Sequence, residues 1–285
     1  MNKQTIVVSF SGGRTSAFMA RWLQLNKSHE FNLKYIFANT GSEHENTLLF
    51  IDQCARYWDM DIVWVEALVH ERGHGTRYRE VTFSTASRKN EPFESVIEKY
   101  GIPNQAYPHC TRELKLAPIN AWVKANSLDD RLMAVGIRAD EIDRIAGDYK
   151  ENAIIYPLIT MLPTTRDDVN LWWSRQSFDL NVPVHRGNCV FCWKKMFRKI
   201  CTNILDDPSG FDWYERMEVE HGLSGHNVDG NPRGFFRQHT KAVDLRIMAN
   251  SRDFVRYTDD ATLQPDLFWD TGGGACGGEE CQPFI

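Results

Sequence analysis

The chain has 285 residues, 42% of them apolar and 25% charged, with a formal net charge of −5. This is ordinary globular composition with enough apolar residues for a sizeable core, and the negative balance argues against a general polyanion binder while leaving room for a local basic face. No apolar run reaches the roughly 18 residues of a membrane-spanning helix, and no leader-like apolar segment opens the chain, so a cytoplasmic protein without a membrane partner is expected.

In chain order, Thr5–Phe10 (TIVVSF) reads as a short buried parallel strand. The helical pattern of Ser16–Leu25 follows, with the glycine turn Ser11–Ser16 (SGGRTS) between them. Leu33–Ala38 is the next strand, Asn46–Trp58 an apolar-faced helix, and Asp61–Val65 a third strand. Strand alternating with helix at this spacing predicts βαβ units in a parallel sheet. Val69–Asn90 is long, polar and basic, and reads as a lid or substrate loop. A helix around Pro118–Lys124 separates it from two later strands, Arg131–Gly136 and Ala153–Leu158. Beyond about residue 165 the character changes to helical segments at Arg166–Phe178, Phe211–Glu220 and Lys241–Asn250. A glycine-rich tail, DTGGGACGGEECQPFI, is expected to be flexible.

A glycine turn between strand and helix lets backbone N–H groups approach an anion at the positive end of the helix. Ser11 and Ser16 offer hydroxyls there, and Arg14 a positive charge. The same two glycines would also serve a tight turn with no ligand. The spacing is not that of a Walker A loop.

Seven cysteines, at 54, 110, 189, 192, 201, 276 and 281, are an odd number in a chain with no secretory signal. A disulfide framework is therefore disfavoured, and metal or redox chemistry is the better reading for any that cluster. Cys189 and Cys192 form a C-x-x-C pair that could meet one metal, act as a redox couple, or simply be buried. The basic residues Lys194, Lys195, Arg198 and Lys199 follow at once. They would offset thiolate charge, touch a polyanion, or form a solvated helix face. Cys54 lies within an apolar helix and reads as core. His70 and His74 are separated by Gly73, which spoils a helical metal pair.

The segment SFSGGRTS resembles the pyrophosphate-binding PP-loop of the adenine nucleotide α-hydrolases, whose common form is S-G-G-x-D-S. Thr15 stands where that form has aspartate. Within that superfamily the chain resembles the phosphoadenosine phosphosulfate (PAPS) reductases and their sulfurtransferase relatives. ANTGSEHENTLLFIDQCARYW is similar to their second strand, Thr-Gly turn and helix. CTRELKLAPINAWV is similar to their cysteine–lysine–proline segment, GIRADEIDRIA to their Gly-Ile-Arg turn, YPLITMLPTTRDDVNLWW to the following helix, and GNCVFC to a late cysteine pair. The order is kept from residue 5 to about 195, and the remaining residues match poorly.

The resemblance implies an α/β fold with a Rossmann-like (HUP-type) parallel sheet, helices on both faces, and a mainly helical C-terminal region. It divides the chain into a nucleotide-binding domain at 1–195 and a helical extension at 196–285. It implies nucleotide contacts from Ser9, Ser11, Gly12, Gly13, Arg14, Thr15 and Ser16, from Thr40 and Gly41, and from Gly136 and Arg138. Asp140 and Glu141 would orient Arg138 or hold Mg²⁺, and orientation is the more economical role. Cys110, Cys189 and Cys192 would bind a [4Fe–4S] cluster, with His109, Cys201 or a tail cysteine as fourth ligand, or with an open iron. Zinc is the alternative metal. The cluster-bearing relatives have two adjacent cysteines where this chain has His109–Cys110. Lys115 and Arg138 enter as catalytic residues, together with Cys281 as a thiol nucleophile. Two acidic residues just before Cys281 would lower its thiolate fraction.

Three activities follow from the resemblance. The first is ATP-dependent adenylation, giving AMP and PPi, coupled to sulfur transfer onto tRNA, DNA or a small acceptor with a cysteine desulfurase as sulfur source. The second is reduction of an adenosine phosphosulfate with a thioredoxin-like reductant. The third is nucleotide or nucleic-acid binding without catalysis, which the aspartate-to-threonine departure keeps open. A homodimer is also in view.

Overall fold

The computed structural model describes residues 3–70, 74–227, 230–237 and 240–258. Its frame is a six-stranded sheet in the order β4-β3-β2-β1-β5-β6. The strands are β1 (Thr5–Ser9), β2 (Asn32–Asn39), β3 (Ile62–Leu68), β4 (Arg77–Val81), β5 (Leu132–Ala134) and β6 (Ile154–Ile155). All neighbours pair in parallel except β3 and β4. This is the Rossmann-like α/β fold expected from the alternating pattern. The near-continuous apolar runs of β1 and β2 follow from burial on both faces.

Helices α1 (Arg14–Lys27) and α2 (Glu45–Trp58) cover one face. Next in the chain come α3 (Glu91–Tyr100), the single turn α4 (His109–Thr111), a π-helical turn at Arg112–Leu116, and α5 (Ala117–Ala125). A short turn α6 (Pro157–Thr160) and α7 (Arg166–Trp173) follow, then α8 (Phe197–Asp206), α9 (Pro208–His221) and α10 (Ala242–Ala249). One core joins β1 and β2 residues to Phe18 and Leu23 of α1, Phe50 and Ile51 of α2, and Trp173 of α7. A second fills the opposite face with Val7, Ile36, Val65 and the α5 residues Ile119, Trp122 and Val123. A third unites α3 with α8, α9 and α10 through Phe93, Ile97, Ile200, Phe211, Tyr214 and Leu245.

The segment Val69–Asn90 departs from the expected lid. It carries β4, which adds antiparallel to β3 as an edge strand. Glu66 of β3 is fully buried, and Arg79 of β4 reaches it at 2.7 Å. Trp122 Nε1 donates to Glu80 at 3.0 Å from the other side. The polar residues that suggested a loop are therefore those of an edge strand tied down by one ion pair and one indole hydrogen bond. Helix α3 was not foreseen. The strand expected at Ala153–Leu158 is only two residues long because Pro157, lacking an N–H, starts α6 instead.

Strand order reverses at β1, which has β2 on one side and β5 on the other. In open α/β sheets this reversal opens a crevice beyond the carboxyl ends of the strands. The turns after β1, β2 and β5 all emerge at that edge.

Candidate functional site

The turn after β1 contains Ser11, Gly12 and Gly13 and runs directly into α1. Gly12 has φ +84°, and a Cβ there would sit 2.7 Å from Thr47 Cγ2. Only glycine satisfies both constraints, left-handed backbone and contact with α2. Gly13 is the N-cap of α1 and brings no side-chain cap, and no acidic residue occupies the first turn. The start of α1 thus keeps the positive end of its dipole without an internal carboxylate to match it.

The hydroxyls in this turn are used internally. Ser16 is fully buried and donates its Oγ–H to the Gly13 carbonyl at 3.0 Å. It accepts from the Ser11 N–H at 3.2 Å and from the Ser11 hydroxyl at 2.9 Å. Ser11 and Ser16 therefore shape the loop. Arg14, expected to offer its charge to a phosphate, is bound in bidentate fashion by Asp179, at 2.7 and 2.6 Å. Trp173 Nε1 holds the Arg14 carbonyl at 2.9 Å, so α7 buttresses the start of α1.

The turn after β5 closes on this loop. A Cβ on Gly136 would lie 3.3 Å from Ser16 Cα, so the glycine lets the two turns touch. Arg138 is buried and donates to Thr15 Oγ1 at 3.0 Å and to Asp140 Oδ1 at 3.0 Å, with Glu141 at 3.5 Å. An aspartate in place of Thr15 would pair ionically with this guanidinium. With threonine there, Asp140 and Glu141 supply the counter-charge instead. Ser9 is buried at the end of β1, beside Ile36 of β2.

The turn after β2 reaches in the other direction. Buried Thr40 gives its hydroxyl to Glu43 Oε1 at 2.8 Å and its N–H to Glu43 Oε2 at 3.0 Å. Gly41 has φ +80°, and its carbonyl accepts from the Asn90 N–H at 3.1 Å. Beneath the turn, Asn39 donates to the buried carboxylate of Glu66 at 2.6 Å. Glu66 also takes the Ser87 N–H at 2.6 Å and the Ser87 hydroxyl at 3.0 Å. This network ties the turn after β2, the end of β3 and the 77–90 segment into one unit.

Cys189 docks onto that unit by a single antiparallel bridge to Glu43, and the Val190 N–H bonds the Ser42 carbonyl at 3.0 Å. Its sulfur lies 3.5 Å from Thr40 Oγ1. Cys110, Cys189 and Cys192 line one small cavity of about 40 Å³, together with Thr40, Lys115 and Tyr214. Phe93, Phe191, Trp193 and Phe235 complete an aromatic wall. Lys115 reaches the cavity from the π-helical turn, an irregularity often found at functional sites. Burial, and then the Glu43 carboxylate, push the Cys189 thiol up to about 11, against the opposing pull of Lys115. Tyr214 of α9 is raised well above the usual phenol range by burial and then by Cys189 and Cys192.

His109 does not join the three cysteines. Its Nε2 faces the Gly101 carbonyl at 3.1 Å, and burial holds the imidazole below its ordinary value. Cys201 faces the Leu245 carbonyl at 3.6 Å inside the third core, its thiol pushed up to about 12 by burial. Cys54 is core, as read from its helix. Cys276 and Cys281 lie outside the described residues. The donor chemistry of three thiols fits a thiophilic metal or an iron–sulfur group. Among the described residues, however, no group of three His, Cys, Asp or Glu side chains converges on a metal position.

Of the basic run after the cysteine pair, Lys195, Arg198 and Lys199 are buried and so form neither a solvated face nor an exposed polyanion surface, while half-buried Lys194 lines the cysteine cavity. The Lys195 ammonium donates to the carbonyls of His185 (2.8 Å) and Val190 (2.9 Å). Asn203 donates to the same two carbonyls at 2.8 and 2.6 Å. The C-x-x-C loop is thus clamped from behind. Arg198 caps the carbonyls of Val255 and Arg256. Sequence reasoning missed Glu43, Glu66 and Tyr214. Only Glu43, inside the Thr-Gly turn segment, carried a signal that could have been found.

A family model described as the phosphoadenosine phosphosulfate reductase domain matches residues 5–147. An uncharacterized nin region protein of Escherichia phage lambda is 33% identical over 199 residues, covering 68% of this chain and 67% of that protein. Two uncharacterized proteins of Methanocaldococcus jannaschii are 27% identical over 139 residues and 29% identical over 119 residues. Those matches cover 49% and 42% of this chain, and only 24% and 23% of the archaeal proteins.

Proposed function

Because the chain belongs to the phosphoadenosine phosphosulfate reductase domain family, we propose that it is a PP-loop enzyme that uses an adenine nucleotide for sulfur chemistry. The reading is ATP-dependent adenylation coupled to sulfur transfer onto a nucleic acid or small acceptor. One observation carries it. The turn after β2 neighbours the glycine loop at the sheet edge, and its Thr40 hydroxyl lies 3.5 Å from Cys189. A nucleotide held at the loop would have its reacting phosphate next to a thiol cavity.

In this reading the N–H groups at the start of α1 receive the pyrophosphate, and Gly12 and Gly13 permit its close approach. Arg138, anchored by Asp140 and Glu141, contributes positive charge at the same crevice. An acceptor oxygen forms a bond to the α-phosphorus while the bond to the bridging oxygen breaks, releasing PPi. Hydrosulfide then attacks the acceptor carbon and loses its proton, and AMP leaves with the original oxygen, with no change of oxidation state. Catalysis of both displacements rests on positioning and charge stabilisation. Mg²⁺, when bound with ATP, neutralises part of the triphosphate charge. Cys110, Cys189 and Cys192, which share a cavity wall but do not converge on one metal position, would be the thiolates that hold a [4Fe–4S] cluster, and a bound cluster would supply a thiophilic iron for sulfur. Lys115 favours the thiolate that either metal or sulfur chemistry needs.

A second reading, reduction of an adenosine phosphosulfate with release of sulfite, is favoured by the family's own description. The two are separated by products. Incubation with ATP and chromatography is expected to give AMP and PPi, and ADP with Pi would overturn adenylation. Sulfite release from adenosine phosphosulfate, with no ATP turnover, would select the reductase. Iron, sulfide and zinc analysis of protein purified without oxygen is expected to show iron and sulfide. Metal-free protein would remove the cluster from the proposal.

A further inference from the structure

At the seam between the loop before Cys110 and the C-terminal helices lies an arginine with unmet bonding capacity. Arg233 is only 8% exposed. Its guanidinium carbon stacks 3.8 Å from the centre of the Tyr107 ring, and its Nη1 donates to the Tyr100 carbonyl at 3.3 Å. Its Nε and Nη2 are buried and have no hydrogen-bond partner among the described residues. A buried guanidinium leaving one edge unpaired is costly, and such a group calls for an explanation. Nearby acidic Glu218 does not supply one, because its carboxylate already accepts from the backbone N–H groups of Phe235 and Ala242.

Arg233 lines a cavity of about 580 Å³. Arg237 and Lys241 line it too, with the amide side chains of Asn104, Asn227 and Asn231. No carboxylate is among the described residues of its wall. Asn104 donates to the Gly234 carbonyl at 2.9 Å, which latches the two loops that form opposite walls.

We propose that this cavity is a second anion site, separate from the glycine loop, that takes the phosphate group of a ligand on Arg233. Binding turns the unpaired Nε–Nη2 edge into the cavity that the side chain already lines. That edge is the planar, two-donor fork that matches two phosphate oxygens. The Tyr107 ring stacks on the guanidinium, Lys241 and Arg237 add charge, and the Asn231 amide stands in the same wall. The cavity is roomy enough for a phosphate carrying a sugar. Tyr107 lies three residues before Cys110, so a ligand seated here has its phosphate anchored close to the segment that presents that thiol. The inference stands on Arg233 and its cavity, and not on the reaction proposed above.

Two sources offer this chemistry, a single-stranded nucleic acid and a free phosphate. The test measures binding of a short fluorescent oligodeoxynucleotide by anisotropy and of inorganic phosphate by calorimetry. It uses the full chain and its Arg233→Met and Lys241→Gln variants, with ATP binding as a control for the glycine loop. Arg233→Met is expected to weaken the oligonucleotide about tenfold, and Lys241→Gln two- to threefold, at constant ATP affinity. The salt dependence of oligonucleotide binding should become shallower in both. Loss of inorganic phosphate binding in Arg233→Met, with oligonucleotide affinity unchanged, would keep the site and assign it to a free phosphate. Equal binding of both probes by wild type and both variants, or no binding of either by the wild type, overturns it. Should Arg233→Met not fold, an unaltered Lys241→Gln has the same consequence.

Discussion

The glycine loop is made of consecutive residues in one strand–helix turn, and the groups it offers at the start of α1 are backbone N–H. The cysteine cavity is assembled from distant segments, with Thr40, Lys115, Cys189 and Tyr214 arriving on four different elements. The loop braces itself with its own serines, whereas the C-x-x-C loop is clamped by buried Lys195 and Asn203 from outside. A backbone site needs only a local conformation. A side-chain site needs the whole fold. The Thr40–Gly41 turn lines the cysteine cavity and follows the strand that pairs with β1, so perturbations can be aimed at either site or at the support beneath this turn.

The largest expected effect strikes that support. Glu66→Leu strands Asn39, Arg79 and the Ser87 N–H around a carboxylate site with 0% exposure. Arg79 is half exposed and turns to water, so the cost falls on the buried Asn39 and Ser87 donors, about 1–3 kcal/mol for each, readable in urea denaturation. Nucleotide binding and cysteine reactivity should both change, and a stable protein with only one altered would mean the turn is not shared. Next comes Gly12→Ala, which forces a Cβ to within 2.7 Å of Thr47 and into a left-handed backbone. A drop of roughly a hundredfold in ATP affinity by calorimetry is expected, each tenfold being about 1.4 kcal/mol. Cysteine alkylation should stay the same, and retained ATP affinity would remove the loop as the phosphate seat.

The cavity can be probed without touching the loop. Burial and Glu43 hold the Cys189 thiol at about 11, so its alkylation should accelerate as pH climbs towards that value. Glu43→Gln removes the carboxylate that disfavours the thiolate and should speed alkylation of Cys189 at pH 8, as followed by peptide mass spectrometry. Lys115→Met removes the opposing charge and should slow it. Identical rates in both variants would leave burial alone in control. The smallest effect is expected from Arg14→Ala. Its pair with Asp179 is about a third exposed, and such pairs contribute about 0–1 kcal/mol. A small shift in thermal midpoint with unchanged ATP affinity would confirm that Arg14 serves the joint between α1 and the segment after α7. A large loss of ATP affinity would return it to the phosphate.

What the sequence determined by itself is the part built from near neighbours. Apolar strand runs alternating with helical patterns were enough for the parallel sheet, because burial on both faces leaves the same mark wherever it occurs. The SGGRTS turn was legible because Gly12 at φ +84° has no substitute that keeps the turn. The pairing of Arg138 with Asp140 was legible because they are two residues apart. Tertiary structure alone decided the rest. It made part of the expected lid an edge strand beside Glu66, paired Arg14 with Asp179, and buried Lys195, Arg198 and Lys199 of the basic run. It also put Cys110, Cys189 and Cys192 around one cavity while directing His109 to the Gly101 carbonyl. The physical reason is the same in each case. A charge or thiol has no periodicity of its own, so its role is set by whichever distant group meets it when the cores close.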